Sequence, residues 1–220
     1  MRTFDEIYAI AAGRKGGTEA LEALLVRPKS AAELAALPED RWLAQFTRSI
    51  FQSGFNWKVV EAKWPGFEEA FWGFDVDRCA FMDDDAFDAI VANPAVVRNA
   101  MKLATVRENA VFLCELRDQG GAGRVLGGWP SSDYIGLLAL LSGRGSRLGG
   151  ITGAYALRFL GRDGFILSRD VVARLVAEGV IDRQPGSKKA MAAVQAAFDT
   201  WQAQSGRSLT EISRVLAMSL

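Results

Sequence analysis

The segment LGGITGAYA at residues 148–156 decides how the chain is interpreted. It lies between two helix-like segments, and the helix behind it has small or apolar residues at Ala154, Ala156, Leu157 and Leu160. A tight glycine turn that opens a helix directs backbone N–H groups outward at the positive end of the helix dipole, where they bind a phosphate. Arg144 and Arg147 flank the turn as further phosphate contacts. A plain structural turn between two helices is the alternative interpretation.

The rest of the chain has helical patterning, because Ala, Leu, Glu and Arg dominate long stretches and two-residue alternation is scarce. We predict an all-α fold as one domain over residues 1–220, with the helices of residues 1–38 and 184–220 packing on the core. Helices are expected over residues 39–52 and 93–118, and a long glycine-rich loop over residues 119–133. Three aspartates at residues 83–85 are interpreted as a helix start rather than a metal site.

The composition excludes several classes of site. The chain has no histidine, two cysteines, and 26 basic against 26 acidic residues. The absence of histidine excludes Ser–His–Asp and Cys–His mechanisms, and a structural zinc site is not expected. Balanced charge means that nucleic-acid binding requires a local basic face. No segment has the length of a membrane span, and no apolar run follows the first residues like a signal peptide, so we expect a cytoplasmic protein without a membrane partner.

The glycine segment resembles the hairpin of the helix-hairpin-helix DNA glycosylase superfamily, whose common form is LPGVGxxTA. Four residues match in register, namely Leu148, Gly150, Ile151 and Ala156. Three depart from the common form, with its Pro, second Gly and Thr replaced by Gly149, Thr152 and Tyr155. The resemblance implies two helical lobes around a cleft. It also implies DNA contacts from the hairpin, by Arg147, Gly149, Gly150, Thr152, Gly153 and Tyr155.

A second resemblance covers about residues 51–116, which look like the 3-methyladenine DNA glycosylase I family. The matching stretches are QSGFNWKVV at residues 52–60 and FEEAFWGFDVDRCAFMDDDAFDAIVANPAVVRNAMKLATVRENA at residues 67–110. In that family aromatic residues stack on an extruded base, which replaces the stacking lost from the duplex. The resemblance implies a base pocket formed by Trp57, Ser49, Gln52 and Phe55. Without the resemblance, packing of Trp57 in the core behind a helix cap is an equal alternative.

The chain departs from that family at its zinc and pocket positions. The zinc-binding cysteines and histidines are missing, and Ala11 and Ala12 stand where a pocket Tyr and a zinc His are expected. Ser49 replaces the pocket carboxylate. We therefore expect no metal and no cofactor. The sequence does not determine which damaged base is excised.

A candidate acid follows the hairpin. The segment ALRFLGRDGFILSRD at residues 156–170 resembles the corresponding stretch of 3-methyladenine glycosylase II, and this register implies that Asp170 is catalytic. A carboxylate there stabilises an oxocarbenium ion and orients water. A competing register, set by Val171 and Val172, aligns Asp170 with the lost zinc His of the first family. An ordinary first-turn residue beside Ser168 is the remaining alternative.

Lys188 is a second candidate phosphate contact, at a capped helix start, although solvated surface lysines are more frequent. The predicted function is a monomeric, monofunctional DNA repair glycosylase, acting on double-stranded DNA with a damaged base. It would hydrolyse the N-glycosidic bond of an alkylated, 3-methyladenine-like purine. One alternative is a catalytically inactive helix-hairpin-helix DNA-binding protein. Another is a protein-interaction role without DNA contact.

Overall fold

The computed structural model describes residues 1–220, and all of its regular elements are helices, which confirms the predicted all-α fold. In chain order the α-helices are α1 (Phe4–Lys15), α2 (Thr18–Glu22), α3 (Ala31–Ala35), α4 (Glu39–Gln52), α5 (Trp57–Ala62), α6 (Trp64–Ala70), α7 (Val76–Ala80), α8 (Asp84–Ala92), α9 (Ala100–Leu116), α10 (Ala122–Val125), α11 (Tyr134–Arg144), α12 (Ile151–Leu160), α13 (Arg169–Ala177), α14 (Lys188–Ser205) and α15 (Leu209–Met218). Short 3₁₀ turns link some of them.

The chain divides into two compact units. The central unit comprises Ser30–Trp129 and Leu137–Leu160, and the terminal unit comprises Met1–Lys29, Pro130–Gly136 and Gly161–Leu220. A single domain over residues 1–220 remains a prediction. None of the helices combines the length and the apolar composition that a membrane span requires. No group of three Cys, Asp or Glu side chains is arranged to hold a metal ion.

The central unit is built around α4 and α9. The apolar residues of α4 recur three and four positions apart, so that Trp42, Phe46 and Ile50 all lie on its buried face. The long helix α9 packs against both α4 and α7. Its buried face is mainly apolar but includes three polar side chains, Lys102, Thr105 and Asn109. The predicted helix over residues 39–52 is confirmed.

Two boundaries predicted around α9 are wrong. The helix expected from Asn93 begins only at Ala100, where the side chain of Asn99 accepts a hydrogen bond from the Lys102 backbone N–H at 3.0 Å. The preceding turn is held by Lys63, whose Nζ donates to the carbonyl groups of Pro94 and Val96. The loop expected over residues 119–133 contains helix α10. Gly123 lets α10 approach α3, since a Cβ there would lie 2.6 Å from the Leu34 carbonyl oxygen.

The terminal unit brings together chain segments that are far apart in sequence. Phe165 stacks on Phe198 of α14 with ring centroids 4.3 Å apart. The segment after Gly161 is fixed to α15, because Asp163 Oδ1 accepts from the Thr210 N–H at 2.8 Å and Ser213 Oγ accepts from the Ile166 N–H at 3.1 Å. This fixed segment leads directly into α13, which carries Asp170.

Candidate functional site

The turn at residues 53–56 sets the position of Trp57. Helix α4 ends at Gln52, and Gly54 has φ of +112°, a conformation that favours glycine. Asn56 then caps α5, its Oδ1 accepting from the Lys58 N–H at 2.9 Å. Trp57 is therefore the first residue of α5, and its indole Nε1 donates to the Gln52 carbonyl at 3.0 Å. Local turn and capping chemistry orients this indole.

Trp57 belongs to an aromatic cluster on the surface, formed with Tyr155 and Phe159 of α12. The ring centroids of Trp57 lie 6.3 Å from Tyr155 and 6.0 Å from Phe159, and the latter two stack at 5.9 Å. Trp57 is 47% exposed and Phe159 is 49% exposed. The alternative in which Trp57 is simply a core residue is wrong, since almost half of the residue faces solvent. The structure thus joins a predicted pocket residue to a predicted hairpin residue.

Phe159 was not predicted as a site residue from the sequence. It lies four residues after Tyr155, one helical turn along α12, whereas Ala156, Leu157 and Leu160 are buried. An outward aromatic pair at this spacing is the signal that points to it.

The other predicted pocket residues lie at the end of α4 and in the turn behind it. Ser49 is buried and accepts from Gln45 Nε2 at 3.0 Å. Gln52 Nε2 donates to Glu61 Oε1 at 2.9 Å, while Gln52 Oε1 is enclosed without a hydrogen-bond partner. Phe55 stacks on Phe51 with centroids 6.2 Å apart. Glu61, which sequence analysis missed, brings a carboxylate next to Gln52, one helical turn after Trp57.

Lys102 is a buried cation beside this turn. Its Nζ donates to the carbonyls of Ile50 and Ser53, each at 2.6 Å, and lies 4.9 Å from the Phe55 ring centroid. Burial lowers the pKa of Lys102 below its ordinary value, and the positive charge of Arg147 lowers it further. The positive charges of Arg147 in the hairpin and Lys102 beside the 53–56 turn therefore repel each other.

The hairpin itself is confirmed as a tight connection between α11 and α12, and its glycines have distinct roles. Gly150 has φ of +59° with open space around it, so its conformation explains the glycine. A Cβ on Gly153 would overlap the Leu148 carbonyl oxygen, so Gly153 permits close packing. A Cβ on Gly149 would lie 3.0 Å from Ser142 Oγ.

Arg147 adopts a left-handed conformation that is uncommon for a residue with a side chain, with φ of +54°. Its side chain is exposed, and Gly150 is exposed just before the first turn of α12, where Thr152 is half-buried. Arg144, by contrast, is paired with Glu115 at 2.7 Å. The exposed end of the hairpin therefore combines one cation with a helix N-terminus.

Asp170 and Lys188 belong to the terminal unit. Each is exposed in the first turn of a helix, α13 and α14 respectively. Ser168 caps the first of these helices and Ser187 the second, through hydrogen bonds of 3.3 and 3.1 Å from backbone N–H groups. The predicted catalytic and phosphate-binding roles of these two residues remain predictions.

Comparison with known proteins finds a family similarity in the middle of the chain. Residues 38–125 match the family model described as methyladenine glycosylase, which confirms the predicted resemblance over this segment. The segment includes the 53–56 turn, Trp57 and α9, and it ends before the hairpin. No curated protein sequence matches the chain.

Two crystal structures are similar. One is 3-methyladenine DNA glycosylase I, at 18% identity and a TM-score of 0.47, covering 62% of this chain and 80% of that one. The other is the Methanocaldococcus jannaschii 8-oxoguanine glycosylase/lyase in complex with DNA containing 8-oxoguanine, at 12% identity and a TM-score of 0.46, covering 97% and 86%.

Proposed function

We propose that this protein is a DNA repair glycosylase that binds double-stranded DNA and hydrolyses the N-glycosidic bond of an alkylated, 3-methyladenine-like purine. The observation that carries the proposal is the exposed aromatic cluster, in which Trp57 of the methyladenine glycosylase segment contacts Tyr155 and Phe159 of the hairpin helix. An extruded base needs aromatic or apolar faces to replace its lost stacking. The cluster offers such faces on the helix that the hairpin opens.

The hairpin supports binding to the DNA backbone. The exposed Gly150 backbone, with half-buried Gly149 before it, and the N-terminus of α12 suit a phosphate, with Arg147 as the adjacent cation. Lys188 is proposed as a separate phosphate contact from the terminal unit. Because the whole chain has no net charge and these contacts neutralise only a few phosphates, the affinity for DNA should fall only modestly as salt concentration rises.

Recognition of the base is assigned to the end of α4. Gln52 is proposed to contact the base through its side-chain amide, and Ser49 supplies a hydroxyl where the related family has a carboxylate. Phe55 contributes an apolar surface. Without a carboxylate at Ser49 the pocket is less selective for a cationic base, which leaves related alkylated purines as substrates.

The chemical step is assigned to Asp170. The bond from C1′ to the base nitrogen breaks, its electron pair leaves with the base and neutralises the positive charge of the alkylated purine. Water adds at C1′ and loses its proton to Asp170 or to solvent. The carboxylate stabilises the oxocarbenium ion that precedes water addition. A monomeric state and a cytoplasmic location complete the proposal.

The experiment is release of free methylated purines from methylated duplex DNA, with separate measurement of binding to an abasic-site duplex. Wild type should release 3-methyladenine. Trp57→Ala should lower the excision rate by about 10- to 100-fold, the loss of one base-stacking contact. Phe81→Ala is the matched control, since Phe81 is 84% exposed in the same unit and outside the cluster.

Asp170→Asn should bind the abasic duplex but release almost nothing, whereas Asp5→Asn should be fully active. Asp5 is a suitable control because it is also an exposed first-turn aspartate of the terminal unit. Binding without release of any base from a panel of alkylated and deaminated DNA would favour the catalytically inactive DNA-binding protein. Absence of binding would exclude both functions.

A further inference from the structure

Two buried polar side chains of α9 each hold one loop of the candidate site. Lys102 Nζ donates to the Ile50 and Ser53 carbonyls, each at 2.6 Å, where α4 ends and the 53–56 turn begins. Asn109 bonds both backbone groups of Ser146 in the turn before Arg147. Its Oδ1 accepts from the Ser146 N–H at 2.8 Å, and its Nδ2 donates to the Ser146 carbonyl at 3.1 Å.

The two side chains lie on one face of α9. They are seven residues apart, which is almost two helical turns and about 10 Å along the axis. Lys102 is 9% exposed and Asn109 is fully buried. One helix therefore reaches the 53–56 turn with one side chain and the hairpin turn with the other.

Packing alone does not explain these residue types. Burial of a cation or an amide is costly unless its polar atoms are bonded. The last carbonyls of a helix and the backbone of a tight turn need partners that the helices themselves do not provide. Lys102 supplies two donors to such carbonyls, and Asn109 supplies one donor and one acceptor. Apolar side chains of similar size would fill the space and leave those groups unpaired.

We propose that Lys102 and Asn109 are positioning residues that fix the 53–56 turn and the hairpin turn relative to each other. The first turn places Trp57, and the second places Arg147 and the N-terminus of α12. The functional importance of this positioning rests on the proposed function. Trp57 and the hairpin must contact the extruded base and a DNA phosphate at a fixed distance from each other. Holding both loops before DNA arrives reduces the entropy lost on binding.

The first test uses the free protein. Lys102→Met and Asn109→Leu remove the hydrogen bonds with little change in volume, and their exposed neighbours provide the controls Met101→Ala and Glu108→Gln. In Asn109→Leu, amide hydrogen exchange at Ser146 should accelerate by about 3- to 10-fold, as expected for one lost hydrogen bond. In Lys102→Met, the fluorine resonance of 5-fluorotryptophan at Trp57, assigned with Trp57→Phe, should shift and broaden.

A measurement on the wild-type protein alone also tests the proposal, so the test does not depend on the variants folding. The Ser146 amide lies outside the helices, so it should be protected only through Asn109. Exchange at the rate of an unprotected loop amide in wild type would overturn the proposal. So would an unchanged Trp57 resonance in a folded Lys102→Met variant.

The second test measures affinity for an abasic-site duplex. Lys102→Met and Asn109→Leu should each weaken binding by about ten-fold. Lys102→Arg should recover part of the loss, because a guanidinium keeps donors for both carbonyls. If wild type does not bind, the proposed function fails while the exchange and fluorine data still test the positioning role. If wild type binds and both variants bind equally well, the positioning role is wrong.

Discussion

At the scale of single residues, the site depends on side chains whose surroundings the sequence does not reveal. The resemblance pointed to Trp57 and Tyr155 separately, from two segments almost one hundred residues apart. Their contact depends on which face of α12 packs against the rest of the central unit, and this is a property of the fold. Phe159 was missed for the same reason, because an apolar residue within a helical pattern is normally assigned to the core.

Lys102 provides a prediction at this scale. Burial is the main cause of its lowered pKa, and the charge of Arg147 is the second. Arg147→Gln should therefore raise the pKa of Lys102 without restoring the ordinary value of 10.5. The measurement is a titration of the Lys102 side-chain carbon resonances by NMR. Arg144→Gln should leave the titration unchanged, because Arg144 is paired with Glu115.

The same lowered pKa fixes the sign of a stability effect. Between the native pKa of Lys102 and 10.5 the unfolded chain binds more protons than the native protein. The contribution of Lys102 to the free energy of unfolding therefore rises with pH across this window. A native pKa of Lys102 at or above 10.5 would contradict both its burial and its proximity to Arg147. A pKa that does not change in Arg147→Gln would contradict the proximity alone.

At the scale of elements, helix starts were predicted correctly where a capping side chain close in sequence determines them. Asp83 caps α8, accepting from the Ala86 N–H at 2.8 Å, so the acidic run is a helix start as predicted. The predicted start of α9 was wrong because Asn93-Pro94 is as good a local signal for a helix start as Asn99, which caps the helix. The deciding contacts are those of Lys63 with the carbonyls of Pro94 and Val96, and Lys63 is thirty-one residues from Pro94.

The hairpin shows how far a glycine pattern predicts structure. The motif predicted the turn, but it did not separate a glycine that is needed for its conformation, Gly150, from one that is needed for close packing, Gly153. Gly153→Ala should lower the free energy of unfolding by about 1–3 kcal/mol, because its methyl group displaces the Leu148 carbonyl. Urea denaturation followed by circular dichroism measures this change.

Gly143→Ala is the matched control for that prediction. Gly143 lies in α11 outside the left-handed conformation, and an added methyl group there would have no neighbouring atom within 4 Å. Alanine at this position should stabilise the protein by about 0.5 kcal/mol through the entropy of the unfolded chain. Equal effects of the two substitutions would mean that Gly153 is not packed as tightly as its contacts indicate.

At the scale of the whole molecule, the terminal unit is the part that sequence patterns describe least. It is assembled from three separate segments, so no continuous stretch contains its core. One polar network of this unit joins the start of the first segment to α13 and to the end of the last segment. Glu178 accepts from the Arg2 N–H at 2.7 Å and from Arg2 Nη1 at 2.8 Å, and Arg174 Nη1 donates to it at 3.3 Å. Arg174 Nε also donates to Ser219 Oγ at 2.8 Å.

This network predicts an acid-sensitive contribution to stability. Burial acts to raise the pKa of Glu178, but hydrogen bonds from Arg2 and Arg174 and the charge of Arg2 outweigh it and hold the pKa below 4.5. The contribution is therefore complete above pH 4.5 and is lost as the pH falls through the native pKa. Glu178→Gln should remove this pH dependence. It should also destabilise the protein by about 3 kcal/mol at neutral pH, because Arg174 stays buried without its carboxylate.

Thermal unfolding between pH 3 and pH 7 measures both effects, with the pH range chosen to bracket ordinary carboxyl titration. Asp182→Asn is the control, because Asp182 is exposed in the same unit and its loss should leave the curve unchanged. The acid limb of the wild-type curve should be steeper than that of Glu178→Gln, and the two curves should converge towards low pH. Parallel curves would show that Glu178 carries no proton-linked stability, and the network would then be a neutral packing contact rather than an ionic one.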